Sequence, residues 1–446
     1  MCGIPILPTY VSMTPDEELH EILSLPEVSV VSRPITECHK KPKDQSIDAT
    51  CHPELQYKSD IRHNEPYATT FPAITLKDKE FTFIELFAGI GGFGIALEAL
   101  GGCCKLACEI DERCRSVYAQ NMNSSVPLHG DIHQIPDSAF PSTKDNIDLL
   151  VGGFPCQPFS SLGQQPGLKD VGKGQLYLQI VRALRLSQPK AFLLENVPGL
   201  LRMNEELNII INALEGVGYR VNTELVSSRG LTATSRKRLF FVGLRRDIGD
   251  SIPFTFPFVP DLKLRAEDVI DFKRECSEDR ISFSEILHIS DAQMNQLCGQ
   301  GRHPWKPAKL AWPDVTLCTL DSHYGVTVGK GNSQLVPCCA PQNPRRFSAM
   351  ECARLMGFPL TTFSFPMQRE GQGDMAFLKE QYRMFGNAVC PPLVAIISGA
   401  ILGYCRPDHF HAWVIHGRSV ALSIAVAALL PSRREIIRQR LVVDFP

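Results

Sequence analysis

No Cys-x-x-Cys pair occurs anywhere in this 446-residue chain, although it carries 16 cysteines. Structural zinc sites are commonly built on that spacing, so none is expected, and no metal site is predicted. Cysteines scattered along so long a chain read as reduced thiols rather than as a disulfide framework. A basic segment leading into an apolar one is also missing at the start: MCGIPILPTYVSMTPDEE is broken by prolines and acids and does not resemble a secretory signal. The longest apolar run, Val420 to Leu430, is too short to span a bilayer, so no membrane partner is expected. An excess of positive charge is absent too, the formal net charge being -2.

That total conceals a polarised distribution. Residues 1–80 hold 13 acids against 8 Lys and Arg, while 228–246 hold six basic residues and no acid, and 301–346 six against two. An acidic extension therefore masks two basic segments, each suited either to phosphates or to a plain solvated surface. With 44% hydrophobic residues the chain can bury a substantial core in two or three domains.

Residues 1–79 mix Pro, Ser, acids and Lys without a sustained period and read as a largely irregular extension, with one short helix near Pro15 to Leu25. At Phe81 the texture changes. FTFIELFAGIGGFGIALEAL is a β-prone run, a glycine turn and an alanine- and leucine-rich helix, the opening unit of a nucleotide-type fold. The glycines Gly89, Gly91 and Gly92 let backbone approach a ligand, but G-x-G-G lacks the full dinucleotide spacing. A second strand, KLACEID, ends in Glu109 and Asp111, where an acid can accept the ribose hydroxyls of an adenosine-containing cofactor. HGDIHQI places Asp131 at the end of a third strand, as a ligand or as a turn aspartate.

The apolar segment from Ile147 breaks at Gly152-Gly153 into Pro155-Cys156-Gln157-Pro158, a stiff turn with a thiol at its tip. Such a cysteine is either a structural thiol or a nucleophile held at the rim where open α/β sheets keep their chemistry. LGQQPGLKDVGKGQ follows, either a loop able to move over a substrate or a plain long connection, and then a helix from Leu176 to Leu186. A strand from Lys190 ends in Glu195-Asn196-Val197-Pro198, which puts a carboxylate on the same rim as Cys156. After a helix over 205–214 and a strand over 219–226, Arg236 and Arg238 alternate on one face of an extended segment. Two guanidiniums there suit a phosphate or a base carbonyl.

From 247 to 344 the βα rhythm lapses for longer than a loop inside a compact domain allows, which predicts a separate unit containing Trp305, Trp312 and Tyr324. RRFSAMECARLMGFP then restores an amphipathic helix with Glu351 and Arg354 three apart. A Gly386-Asn387 turn feeds a long apolar helix that must be buried, and the run 420–430 with the following SRREIIRQR reads as one added helix of unassigned role.

Together FAGIGGF (87–93), Glu109, GDI (130–132), GGFPCQPFS (152–160), ENV (195–197), Arg-x-Arg (236–238), ECARLMGFP (351–359) and FGNAV (385–389) closely resemble the C5-cytosine DNA methyltransferase family, in bacterial-type wording, from Phe81 to about Tyr404. The resemblance implies a Rossmann-like α/β methyltransferase sheet with helices on both faces and a smaller, mostly irregular or β target-recognition domain. It divides the chain into 1–79 (extension), 80–246 (catalytic, first part), 247–344 (target recognition), 345–404 (catalytic, completed by the closing helix) and 405–446 (tail). It implies a DNA (cytosine-5-)-methyltransferase acting as a monomer on double-stranded DNA with S-adenosyl-L-methionine. Cys156 is then the nucleophile on a flipped cytosine, Glu195 the acid at N3, Arg238 the partner of the base carbonyl and Arg236 its support. For the cofactor it implies Phe87 at the adenine, Gly89, Ile90, Gly91 and Gly92 along the amino-acid part, and Glu109 at the ribose. Asp131 is implied at the adenine amino group and Asn387 on the far side, with Ile110, Ile132, Pro155 and Ala388 beside them. Two departures stand out: Ala233 and Thr234 occupy the place of a usual Gln, often preceded by Pro, and Lys173 stands where many relatives carry Arg. A tRNA cytosine-5 methyltransferase and a catalytically silent DNA-binding protein of the same fold are the alternatives. The acidic extension and cysteine content lean toward a nucleus, with a bacterial cytoplasm as the alternative.

Overall fold

Along each central strand the apolar residues alternate between two hydrophobic cores, one on each face of a single sheet. Phe81 and Phe83 of the first strand enter one core and Ile84 and Leu86 the other, and Leu193 and Phe192 divide in the same way farther along. Side chains of a strand point alternately to its two faces, so strands apolar on both must be covered on both. A computed structural model of the protein describes residues 80–122, 125–155, 176–249, 253–272, 286–297, 310–324, 334–338, 342–369 and 372–444. The short helix expected near 15–25, the thiol of Cys156, the loop through Lys173, and Trp305 lie outside them.

Seven strands form the sheet: β1 (Phe81–Leu86), β2 (Gly102–Cys108), β3 (Leu128–His129), β4 (Leu149–Gly153), β5 (Ala191–Asn196), β6 (Tyr219–Ser227) and β7 (Lys237–Arg245). Their order is β3-β2-β1-β4-β5-β7-β6, parallel from β3 to β5, with β7 running antiparallel to both its neighbours. The chain reverses direction of travel across the sheet between β1 and β4, the crevice where open α/β sheets bind ligands. Helices α1 (Gly92–Ala99) and α2 (Glu112–Asn121) feed the first core, α3 (Tyr177–Ser187) and α4 (Asn204–Glu215) the second. This is the Rossmann-like sheet with helices on both faces that the resemblance implies.

Beyond β7 the described residues hold a short helix α5 (Asp291–Leu297) and isolated bridges such as Leu310 with Leu335. Tyr324 is buried there, while Trp312 is 49% exposed. Helices α6 (Ala349–Leu355), α7 (Asp374–Asn387) and α8 (Pro391–Cys405) then return to the sheet. Glu351 caps α6 through Ser348 but forms its ion pair with Arg345, bidentately at 2.8 and 2.9 Å, and not with Arg354. Burial explains the choice: both members are at most 4% exposed, and a buried carboxylate needs a partner aligned through two bonds. Gly386 and Asn387 are the last residues of α7 rather than a turn, and the chain bends at extended Ala388 before the two prolines that start α8. Residues 391–403 of α8 are all buried, as its composition requires. By length and composition alone, 374–405 and 407–427 are apolar enough to cross a membrane, but the most apolar window of the first is 89% buried inside the protein. After Cys405 there are two helices and not one, α9 (Phe410–Ala427) and α10 (Pro431–Asp444), because Pro431 can begin a helix but not continue one.

One buried acid belongs to the scaffold. Glu85 of β1 accepts Gly94 N–H at 3.1 Å and the Tyr118 hydroxyl at 2.9 Å, and its pKa is pushed up to about 8 by burial, against those two hydrogen bonds. Its folded pKa exceeds that of an unfolded carboxyl, so the folded state binds the extra proton. The stability this contributes is present in acid and is lost as pH rises through about 8. Urea titrations between pH 5 and 9 should show that decline, and Glu85→Gln should flatten it.

Candidate active site

The described residues among those singled out in the sequence lie along the carboxyl edge of the parallel strands. β1 runs into Phe87 and the glycine turn, where Phe87, Gly89 and Gly91 take positive φ angles of 55°, 57° and 88°. Gly91 serves as the left-handed cap of α1. Gly92 has no room for a side chain, since a Cβ there would lie 2.7 Å from Val389 Cγ1 and 2.8 Å from its carbonyl. That approach brings the FGNAV segment, and with it Asn387 and Ala388, over the glycine turn.

At the end of β2, Glu109 accepts Gly89 N–H and Asp111 N–H, each at 2.8 Å, one on each carboxylate oxygen. Burial pushes its pKa up, and those two backbone N–H groups oppose the rise. The neighbouring acid is differently employed: Asp111 caps α2, accepting from the N–H groups of Arg113 and Cys114 at 3.0 and 3.1 Å. Of the two acids named at this strand end, Glu109 is the one turned to the glycine turn. Beside it Ile110 is 69% exposed, an apolar side chain left uncovered next to a half-buried acid. Asp131, just past β3, starts a short 3-10 turn and accepts from the His133 N–H and ring; those bonds, the backbone one first, hold its carboxyl below the usual range. The neighbouring Ile132 is buried in the second core and not at the surface of the crevice, and Ile90 is buried in the first.

β4 ends at Gly153 beside Glu195 of β5, and a Cβ on Gly153 would stand 3.3 Å from Glu195 Oε2. Glu195 is 8% exposed and pairs with Arg238, Oε1 lying 2.7 Å from Nε. Burial raises its pKa, while Arg238 and then Arg236 pull it down, and the net is upward. Asn196 fastens the adjoining turn, donating to Phe154 O at 3.4 Å and accepting Val197 N–H at 2.8 Å. Phe154 and Pro155 are described, and Cys156 follows directly.

Arg236 and Arg238 part company. Arg238 stays at the rim with Glu195, whereas Arg236 is 2% exposed and donates to the carbonyls of Leu320, Gly386 and Ala388 at 2.7, 3.1 and 2.8 Å. It fastens the β7 entrance to both the 310–324 segment and the FGNAV bend, which is a support and not a ligand-facing position. Where the expected Gln is missing, the backbone does the holding: Ala233 O and Leu317 N–H bond at 2.8 Å, Leu317 O and Ser235 N–H at 3.1 Å. Thr234 extends a hydroxyl chain with Thr232 and Ser228 at 3.3 and 2.9 Å. The carbonyls of Leu320 and Gly386 carry no signal in the sequence, because a backbone acceptor has no side chain to betray it.

With this geometry in view, the comparisons decide the family. The sequence profile described as C-5 cytosine-specific DNA methylase matches residues 81–403. The chain belongs to that family. It is accordingly classed among the DNA (cytosine-5-)-methyltransferases. The type II methyltransferase M.DsaV of Dactylococcopsis salina is 31% identical over 339 residues, covering 74% of this chain and 88% of that one. M1.ScrFI of Lactococcus lactis subsp. cremoris is 30% identical over 365 residues, covering 79% and 85%. Among solved structures, Dnmt2 methyltransferase of S. pombe superposes with a TM-score of 0.52 at 19% identity, covering 73% of this chain and 99% of that one, a likeness of fold. Both curated relatives are bacterial and give no support to a nucleus.

Proposed function

We infer that this family member transfers methyl from S-adenosyl-L-methionine to C5 of a cytosine flipped out of double-stranded DNA. The observation that carries the reading is Glu195: a buried acid with a raised pKa, at a strand end opposite Gly153, which stands three residues before Cys156 in the chain, and held by an arginine at the rim. The crevice suits the cofactor as well, since Glu109 keeps lone pairs free after its two backbone bonds, Ile110 offers an uncovered apolar face, and Val389 closes over Gly92. Glu109 would take the ribose, Phe87, Ile110 and Asp131 the adenine side, Gly89 to Gly92 the amino-acid part, and Pro155, Asn387 and Ala388 the remaining wall. When bound, S-adenosylmethionine supplies an electrophilic methyl group.

Cytosine C5 is a weak nucleophile until the ring loses its aromaticity. The Cys156 thiolate adds to C6 while Glu195 gives its proton to N3, so the electron pair collects at C5. Arg238 holds the base carbonyl, which loosens its grip on Glu195 and leaves burial to keep that acid protonated. After C5 is methylated a base removes its proton, the thiolate departs, and N3 returns its proton to Glu195. A stacked base cannot reach this rim, so the target must swing out of the duplex. We assign 80–246 and 345–404 to catalysis and 247–344 to target recognition, in one chain acting as a monomer, and we place it in a bacterial cytoplasm.

Labelled S-adenosylmethionine offered with duplex DNA or with transcribed tRNA tests the substrate. Label should enter DNA cytosine, and transfer to tRNA alone would reject this reading. Glu195→Gln should lower kcat by about 10²- to 10⁴-fold. The rate of the unaltered enzyme should fall as pH rises through the raised Glu195 pKa, because the neutral acid is the working form. The Gln variant should lack that descending limb.

A further inference from the structure

Helix α2, which follows the Glu109 strand end, is fastened to the α7 region at both ends by residues far away in sequence. At its N-terminus Asp111 pairs with Arg383 at 2.8 Å and Arg113 pairs with Glu380, so that two opposite pairs cross between the helices. At its C-terminus Asn121 exchanges two hydrogen bonds with Ser364, donating to the carbonyl at 2.9 Å and accepting the N–H at 2.6 Å. The first pair touches the cofactor crevice through a short relay. Asp111 meets Arg383 with Oδ2, caps α2 with Oδ1, and donates its own N–H to Glu109 Oε1, while Glu109 Oε2 holds Gly89 N–H. Arg383 lies one turn before Asn387 at the end of α7, and Arg236 fixes the carbonyls on either side of Asn387. The two walls of the crevice, from the first and last quarters of the chain, are thus joined at this crossing.

We propose that the crossed pairs Asp111–Arg383 and Arg113–Glu380 position the Glu109 wall against the Asn387 wall and so set the affinity for the adenosine cofactor. The proposal rests on the cofactor reading given above. Arg383 is a positioning residue, since it reaches the ligand through Asp111 and Glu109. Its side chain is 43% exposed, and an exposed ion pair adds little to global stability, so a merely structural role predicts almost no effect on binding.

The test uses the full chain and two readouts, calorimetric binding of S-adenosyl-L-homocysteine and steady-state methyl transfer to DNA. Arg383→Gln should weaken binding and raise KM for S-adenosylmethionine by about three- to tenfold, with kcat and the KM for DNA within twofold of the parent. Arg383→Lys should recover most of the loss. Arg113→Glu should weaken binding similarly, and adding Glu380→Arg should restore it by reversing the pair. Because charges carry the effect, the gap between parent and Arg383→Gln should narrow as salt rises. Unchanged affinity in Arg383→Gln, or a loss spread equally over kcat and the KM for DNA, would overturn the proposal while leaving the cofactor reading intact. Failure of the unaltered chain to bind S-adenosyl-L-homocysteine would overturn the cofactor reading and this role with it.

Discussion

Cys156→Ala should abolish methyl transfer to DNA, lowering the rate by about 10⁴-fold or more, while binding of DNA and of the cofactor should survive. The size follows from the chemistry assigned to the thiol: without a nucleophile at C6 the ring stays aromatic, and no amount of positioning makes C5 reactive. Serine is no substitute, since its alkoxide is inaccessible at neutral pH, whereas a thiolate is not. The surroundings also explain why the ablation is clean. The turn is launched from Gly153 beside Glu195, and Asn196 holds Phe154 O, so removing one sulfur leaves the anchors in place. Duplex DNA carrying 5-fluorocytosine supplies a second measurement. Fluorine at C5 cannot leave as a cation, so the adduct cannot be released after methyl transfer, and the parent chain should form a complex with DNA that survives denaturation. Cys156→Ala should form none. Transfer within tenfold of the parent in that variant would remove Cys156 from the mechanism.

What the sequence conveys and what it withholds divide along a physical line. Strand ends are legible because an apolar run must stop where the backbone leaves the sheet, and the residue standing there is displayed at the rim; Glu109, Gly153 and Glu195 all stand at such ends. Spacing also separates Glu109 from Asp111 poorly, since two residues apart at the mouth of a helix either one can cap it, and only the structure shows Asp111 doing so. Ion pairs are less legible still. Glu351 and Arg354 have the right helical spacing, yet the buried partner is Arg345, because desolvation rewards a bidentate geometry over proximity along one helix. Arg383 and Asp111 lie 272 positions apart, and no local pattern announces them. Alternation places Arg236 and Arg238 on one face, but which of them stays at the rim depends on carbonyls from Leu320, Gly386 and Ala388 that only the tertiary fold delivers.

Deleting residues 406–446 should leave a chain that does not accumulate in soluble, folded form, although the family match ends at residue 403. Helix α8 is buried along 391–403, and α9 supplies much of its cover. The two helices meet where neither carries a side chain: a Cβ on Gly417 would lie 2.7 Å from Gly399 Cα, and one on Gly399 would lie 2.5 Å from Gly417 Cα. Among the described residues the tail reaches the rest of the fold at several further points, of which these are the most telling. Trp413, 1% exposed, stands edge-on to Phe81 of β1 with ring centroids 5.9 Å apart. His416 bonds Leu100 O at 3.2 Å, and Arg433 of α10 bonds Asp268 and Glu267, each at 2.7 Å. Burial of a large apolar side chain is worth about 1.5 to 3 kcal/mol. Trp413, Leu422, Ile424, Val426, Ile437 and Leu441 are each under 10% exposed, so the tail's gross contribution is on the order of 10 kcal/mol, the size of a whole domain's net stability, with the entropy of ordering its residues set against it. Gly417→Leu isolates the contact in an otherwise complete chain. It must push apart two backbones that have no slack, costing about 3 kcal/mol, and should lower Tm by several degrees. A soluble, active chain ending at 405, or a Gly417→Leu variant that melts with the parent, would show that α9 merely rests on α8. The consequence would also be felt at the crevice, because α8 begins at Pro391, two residues beyond the Val389 that closes over Gly92. A chain whose α8 has lost its cover should therefore lose cofactor affinity along with stability, whereas the Arg383 variants should lose the first and keep the second.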